Sequence, residues 1–316
     1  MEETIKLGVS QCLLGEKVRY DGGHKLDRFI TDTLGQYVRY VPVCPEVECG
    51  LGIPREAMRL VGTPDVPRLV TIRTRKDHTD RMTEWAKSRV IELEKEGLCG
   101  FIFKSNSPSS GMERVKVYTD EGMPTKSGRG IFAGIFMDHF PLIPVEDDGR
   151  LHDPGLRENF IERIFTMRRW RGLLSGKRTL GNLVAFHTVH KLLVLSHSEK
   201  HNRQMGKLVA AGKKISVEEL FKQYEVLLMQ ALSLKATVSK NTNALQHMMG
   251  YFKKQISPDE KKELLGVIGQ YKQGYIPLIV PMTLIKHYTR KYDQSYLKDQ
   301  VYLNPHPIEL KLRNHV

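Results

Sequence analysis

The apolar pattern of the chain changes once, near residue 150, and that change restricts the fold to two unlike parts. Before it, short apolar runs alternate with amphipathic stretches; after it, almost every apolar residue recurs at helical spacing. No single regular architecture produces both patterns. The charges divide at the same place. Residues 1–150 hold 22 Lys and Arg against 23 Asp and Glu, a net of −1, and residues 151–316 hold 27 against 13, a net of +14. All four cysteines lie in the first part and nine of the twelve histidines in the second. For 316 residues, two domains are expected, 1–150 and 151–316, meeting around residues 146–155.

The first part predicts an α/β domain with a mostly parallel, Rossmann-like sheet. Strands are expected over 4–10, 38–43, 68–73, 100–105 and 141–147, with helices over 24–37, 77–97 and 130–140. The second part predicts an all-α domain of about five to seven helices. These include a basic helix over 155–174, a long stretch over 183–212 broken once, and helices over 240–256 and 275–292. Ser216 with Glu219, and Ser257 with Glu260, are spaced as capping boxes, and the two-proline tail is expected to be extended. No run approaches 18 apolar residues, which excludes a transmembrane helix. The opening residues lack a basic, apolar leader, so a cytoplasmic protein is expected. There the cysteines serve as metal ligands, catalytic thiols or buried spectators rather than disulfides.

In a parallel sheet, ligands bind beyond the carboxyl ends of the strands. Cys12 follows the first strand, Cys44 and Cys49 follow the second, and Lys104, Ser107, Ser109 and Ser110 follow the strand 100–105. All three loops are expected at one sheet edge, whereas Cys99 precedes its strand and belongs at the other. Three converging thiols suit a [4Fe–4S] cluster with one iron left open, or a zinc site lacking a ligand; buried thiols without a metal are the third reading. The turn from Lys104 to Gly111 offers hydroxyls, backbone N–H groups and a glycine, as anion-cradling loops do. Neither a phosphate-binding G-x-x-x-x-G-K-[ST] nor a G-x-G-x-x-G is present. His187 and His190 share a helix face with no acidic partner close in sequence, which predicts a solvated or RNA-facing surface rather than a metal site. Phe160, Phe165, Trp170, Phe186, Phe221 and Tyr224 fall at core spacing. In the second part, bases outnumber acids two to one, so phosphate binding is expected, with counterion release supplying affinity for RNA.

Three segments carry a resemblance: S-Q-C-L-L-G-x-x-V-R-Y-D-G (10–22), P-V-C-P-E-V-x-C-G-L-G-I-P-R (42–55) and F-K-S-N-S-P-S-S-G (103–111). They resemble the TudS-type thiouracil desulfidases. The segments 183–191, 240–252 and 277–288 resemble the helical domain fused to them in RudS-type tRNA 4-thiouridine desulfidases. The resemblance implies a desulfidase converting C=S to C=O at an open iron of a three-cysteine [4Fe–4S] cluster. Cys12 and Cys44 match two ligands, but Ser110 stands where the family carries its third cysteine. Cys49 is expected to replace it, because it shares a loop with Cys44. Glu46 and Ser107 match the family's acidic residue and motif serine. Glu46 is then the general acid or base, with Ser107 and Lys104 orienting the base or relaying a proton. Arg19, Asp21, Ser109 and Ser110 are expected to contact the substrate, and Arg168, Arg169 and Arg171 the tRNA. No membrane and no partner protein are inferred. Two alternatives remain: a desulfidase of free thiouracil or thiouridine nucleotides, and a tRNA-binding protein with a structural metal site.

Overall fold

The computed structural model describes residues 4–119 and 123–315. The chain forms two compact units, Met1–Asp153 and Pro154–Val316. The first is α/β and the second is all-helical among the described residues.

In the first unit the order is β1 (Ile5–Ser10), β2 (Val38–Val43), α1 (Pro45–Glu48), β3 (Met58–Gly62), β4 (Pro67–Thr71), α2 (Thr79–Glu94), β5 (Gly100–Phe103), β6 (Val115–Tyr118), β7 (Pro124–Gly128), α3 (Ile131–His139) and β8 (Val145–Asp147). β2, β1, β5 and β8 form an all-parallel sheet in that order. Its central strands, β1 and β5, are almost wholly buried, as strands covered on both faces are. Phe101 and Phe103 of β5 stack at 4.3 Å and pack against Phe132 and Phe136 of α3 and Val90 and Leu93 of α2. Burying each such ring contributes about 1.5–3 kcal/mol.

Two features depart from the sequence reading. A second sheet, ordered β4, β3, β6, β7, has antiparallel outer pairs and a parallel centre, so the strand expected over 68–73 belongs to it. The helix expected over 24–37 shortens to a π-helical segment over Phe29–Thr33 that runs into a 3-10 turn over Leu34–Gln36. Lys25 and Asp27 give their amide hydrogens to the carbonyls of Cys12 and Leu13 instead. The Ile30 carbonyl accepts both the Leu34 amide and, at 2.7 Å, the Tyr40 hydroxyl.

The helical unit comprises α4 (Pro154–Ser175), α5 (Leu180–His197), α6 (Glu199–Ala210), α7 (Val217–Ser233), α8 (Val238–Gly250), α9 (Pro258–Lys272), α10 (Ile279–Lys291) and the single turn α11 (Ser295–Lys298). Ser198 breaks the long helical stretch, and its hydroxyl caps α6. Ser257 and Glu260 close a full capping box, whereas at Ser216 only the hydroxyl half forms, because Glu219 bonds Gln223 instead. Trp170, Phe186 and Tyr224 form the aromatic centre, with Trp170 lying 5.4 Å from each of the other two. His187 and His190 are core residues, not a solvated face. His187 meets the Tyr224 hydroxyl at 3.2 Å, and His190 stacks on Phe186 and bonds the Phe186 carbonyl at 2.8 Å. His187 is held by Tyr224 of α7, 37 residues along the chain, on a helix that also carries exposed Asn182, Thr188 and Lys191, so helical period alone did not reveal which histidines are buried. Far from extended, the tail turns inward: Arg313 pairs with Glu158 and Glu162 of α4, donates to the Tyr302 carbonyl at 2.6 Å, and is buried. Glu162 also meets His197 at 3.0 Å. No helix of the described residues is long and apolar enough to cross a membrane.

Candidate active site

Because β1 lies between β2 and β5 and all three run parallel, the loops after them leave at one edge. The first is a turn over Gln11–Leu14 that carries Cys12 and is closed by Gly15 at φ 92°, a conformation that favours glycine. The second starts at Cys44, the N-cap of α1, with Pro45 in the first helical position. The Cys44 amide donates to the Glu48 carboxylate at 2.9 Å, which Arg89 holds from the other side. The third begins at Lys104, whose amide donates to the Ser10 hydroxyl at 2.9 Å and so stitches it to the first. Between the loops lies a cavity of about 260 Å³.

Cys12, Cys44, Glu46, Lys104, Ser107 and Ser110 all line it, as does Arg19. Glu46 is the hub. Its Oε2 lies 3.5 Å from the Cys44 sulfur and 3.7 Å from Arg55, while Oε1 accepts the Ser109 hydroxyl at 2.5 Å. A carboxylate only accepts, so Ser109 donates to it and in turn accepts from Ser107, 2.9 Å away. Ser107 Oγ also accepts the backbone N–H groups of Ser109 and Ser110, at 3.3 and 3.1 Å. The result is a directed chain from the cavity-lining Ser107, through buried Ser109, to Glu46. Lys104 Nζ is fixed by Asp148 at 2.8 Å and Ser105 Oγ at 2.9 Å. Burial first, and then the Glu46 charge, pushes the Cys12 thiol up to about 11 and Cys44 up to about 12. Both are protonated at neutral pH until a cationic centre draws them into ligation.

Asp21, Ser109 and Cys49 do not line the cavity. Asp21 is exposed and holds the Gly23 amide at 3.0 Å, with Arg19 3.7 Å away. The structure does not bring Cys49 to Cys12 and Cys44. Residues 44–49 wind into a helical turn, with Glu48 and Cys49 amides bonding the carbonyls of Cys44 and Pro45. Five residues along a helix rotate the side chain by about 140°. Cys49 therefore packs against the second-sheet cluster of Leu60, Leu69 and Met82, its sulfur 3.3 Å from the Glu46 carbonyl. Sharing a loop placed its backbone near the site, but the turn aims the thiol elsewhere. Among the described residues, no three His, Cys, Asp or Glu side chains gather as a metal site. Cys99 is buried ahead of β5, its amide on the Lys6 carbonyl, outside the cavity. In the helical unit, Arg168, Arg169 and Arg171 are half-buried on α4, and Arg169 donates to the Pro305 carbonyl at 2.7 Å. The sequence reading missed Arg55 and Tyr20 in the cavity wall and Asp148 behind Lys104. Tyr20 and Arg55 do fall within the first two motif segments, which was the available signal.

Residues 7–148 match the family described as 2-thiouracil desulfurase, and residues 191–307 match DUF1722, a family of unknown function. The protein YbgA of Escherichia coli K12, described as uncharacterized, is 32% identical over 153 residues, 48% of this chain and 90% of its own length. The chain belongs to the family of YbgA. TudS, described as a [4Fe–4S]-dependent thiouracil desulfidase, is a solved structure 29% identical to this chain. The match covers 49% of this chain and 98% of TudS, with a TM-score of 0.40. The desulfurase match spans all three loops of the cavity, so the first unit of this YbgA-family chain carries a desulfurase domain.

Proposed function

We propose that the chain removes sulfur from 4-thiouridine in tRNA, by the reaction C=S + H₂O → C=O + H₂S. The observation that carries this reading is the cavity at the parallel sheet edge, within the desulfurase match. It presents buried Cys44 and half-buried Cys12, one carboxylate and a hydroxyl chain ending on that carboxylate. Two soft sulfur donors beside a carboxylate suit an iron–sulfur cluster, with Cys12 and Cys44 as two of its ligands. When bound, a [4Fe–4S] cluster supplies a thiophilic Lewis acid for the thiocarbonyl sulfur.

The chain's own residues do the rest. Water in the cavity gives its proton to Ser107 as Ser107 passes its own through Ser109 to Glu46, leaving hydroxide to attack C4. Glu46 then returns that proton to the departing sulfide, and the hydroxyl on C4 gives up the second as C=O forms, which completes H₂S. Lys104, held by Ser105 and Asp148, places its positive charge at the cavity wall, where it stabilises the oxygen that develops on the ring. The base reaches this cavity only when it leaves its stack.

The helical unit supports a tRNA substrate through its charge. Gly212 packs directly on Leu180, which brings Lys213 and Lys214 beside the start of α5, where Lys177 and Arg178 lie. All four are exposed, and none is ion-paired among the described residues. A cluster of solvated cations suits a phosphate backbone. The test is anaerobic incubation of the reconstituted protein with thiolated tRNA and, separately, with free 4-thiouridine and 2-thiouracil, followed by nucleoside and sulfide analysis. Loss of 4-thiouridine from tRNA with matching sulfide is the expected result. Turnover of the free compounds alone removes tRNA from the reading, and no sulfide from any substrate removes the desulfidase.

A further inference from the structure

We propose that the outer face of the second sheet holds the phosphate backbone of the RNA whose base enters the cavity. The inference rests on the tRNA reading above and adds a contact surface within the desulfurase unit. In that sheet Leu60, Leu69 and Val117 turn inward onto Met82 of α2. Side chains alternate along a strand, so their neighbours Arg59, Arg68, Lys116 and Tyr118 lie on the other face. Register then lines the cations up. Leu60 stands opposite Val117, which puts Arg59 beside Lys116, and Lys116 stands directly opposite Lys126 of β7. Adjacent strands lie about 4.8 Å apart, so three cations on three strands make a row about 10 Å long.

The row is not neutralised from within. Among the described residues Arg59, Lys116 and Lys126 have no ion pair, and Arg68 has one, with Asp77 at 3.7 Å. The Arg59 guanidinium sits 4.6 Å from the centre of the Tyr118 ring, which holds it on this face. Like charges directly opposite on neighbouring strands destabilise a sheet, so Lys116 and Lys126 stay paired at a cost that a polyanion removes. The net charge of −1 over residues 1–150 conceals this segregation, because it sums the face with acids elsewhere. The face also leads to the cavity. β3 starts there, with Ala57 and Met58 in the wall. Glu56, in the same wall, accepts the Thr74 amide at 2.9 Å and the Thr74 hydroxyl at 2.7 Å. It thereby fixes a turn carrying exposed Arg73, Arg75 and Lys76 beside the cavity. A nucleotide flipped into the cavity leaves its neighbours unpaired outside, and a cationic track with an aromatic side chain is what binds such single-stranded segments.

The experiment follows binding of a fluorescently labelled tRNA transcript to the full chain by anisotropy, between about 50 and 200 mM salt. Wild type is compared with Lys116→Gln/Lys126→Gln and with Lys87→Gln/Lys95→Gln, which removes the same charge from exposed positions on α2 and its C-cap. Each phosphate contact contributes about 0.7–0.9 to the log–log salt slope, so the sheet variant should lose about 1.4–1.8 of it. Its affinity deficit should accordingly shrink about 7–12-fold across that fourfold rise in salt. The α2 variant should bind as wild type does. A sheet variant with wild-type affinity and slope overturns the inference. So does an equal loss in the α2 variant, which would mark net charge rather than this face. If the double variant does not fold, Lys126→Gln alone, on the outermost strand, should lower the slope by about 0.7–0.9, and an unchanged slope overturns the inference. Wild type that binds no tRNA refutes the tRNA reading itself; wild type that binds tRNA, with the sheet variant indifferent, refutes only this surface.

Discussion

Replacing Gly130 by alanine should slow the proposed turnover and leave iron content unchanged. Gly130 precedes α3 at φ −62° and ψ 145°, which any residue adopts, so backbone strain plays no part. What matters is space. A Cβ there would lie 2.5 Å from the backbone carbon and oxygen of Ser109 and 2.8 Å from the Gly111 nitrogen, whereas ordinary contact begins at 3.4 Å. The loop must therefore retreat by about 0.9 Å, and it consists of backbone atoms that cannot rotate away. It is also tied down, since the amides of Gly130, Ile131 and Ala133 bond the carbonyls of Gly111, Pro108 and Ser109. Taken along the Ser109–Glu46 bond, that retreat stretches 2.5 Å to about 3.4 Å and breaks the hydroxyl chain. A misplacement of this size costs about 10² in kcat, and the overpacking about 1–3 kcal/mol of stability. Sulfide release kinetics, iron content and Tm are measured together, with Gly134→Ala as the control, since its Cβ would meet only the Arg129 Cβ at 4.0 Å. A Gly130→Ala protein with wild-type kcat would refute the claim that the position of this loop governs the chemistry.

Ser109→Ala, which removes the middle hydroxyl but leaves Ser107 and Glu46, should lower kcat by about 10–100-fold with KM and iron content unchanged; a raised KM with normal kcat would show that the hydroxyl serves binding instead. The helical unit should weaken in acid. Burial lowers the folded values of His190 to about 3 and of His187 and His306 to about 4, below the ordinary value near 6.5. Below pH 6.5 the unfolded chain binds protons that the folded rings refuse, so stability falls by up to about 1.4 kcal/mol per pH unit for each ring. Glu158, raised by burial and then Glu162 to about 7, acts in the opposite sense between pH 7 and 4.5 and offsets part of this. Thermal unfolding of the full chain from pH 7.5 to 5 should show a falling Tm, and a flat or rising profile would sink the argument.

The parallel sheet was legible because β1, β2 and β5 are rich in apolar residues, with Lys6 and Arg39 the single charges in β1 and β2, and their loops carried the cysteines and serines to one edge. Of the second sheet only β4 was legible, within the run 68–73; β3, β6 and β7 are four or five residues long with Arg59, Lys116 and Lys126 among their apolar residues. The helix expected over 24–37 fell short: its apolar spacing is helical, but the amides of Lys25 and Asp27 are claimed by carbonyls more than ten residues upstream. At the site, strand order placed Cys12, Cys44, Lys104 and Ser107 together, while the orientation of Cys49 depended on a single helical turn that spacing alone does not reveal. Likewise, Arg313 gave no sign in the sequence of its buried partners, because 151 residues separate it from Glu162.

That separation sets a schedule for biosynthesis. Ribosomes extend a chain at about 5–20 residues per second, so α4 is complete for roughly 7–28 s before Arg313 exists. Throughout that interval Glu158 and Glu162 lack the cation that lets them be buried, and α4 must keep its carboxylates in water. The first helix of the unit is thus the last to settle, and any nascent chain stopped short of residue 313 holds two acids where the finished protein holds its most deeply buried guanidinium.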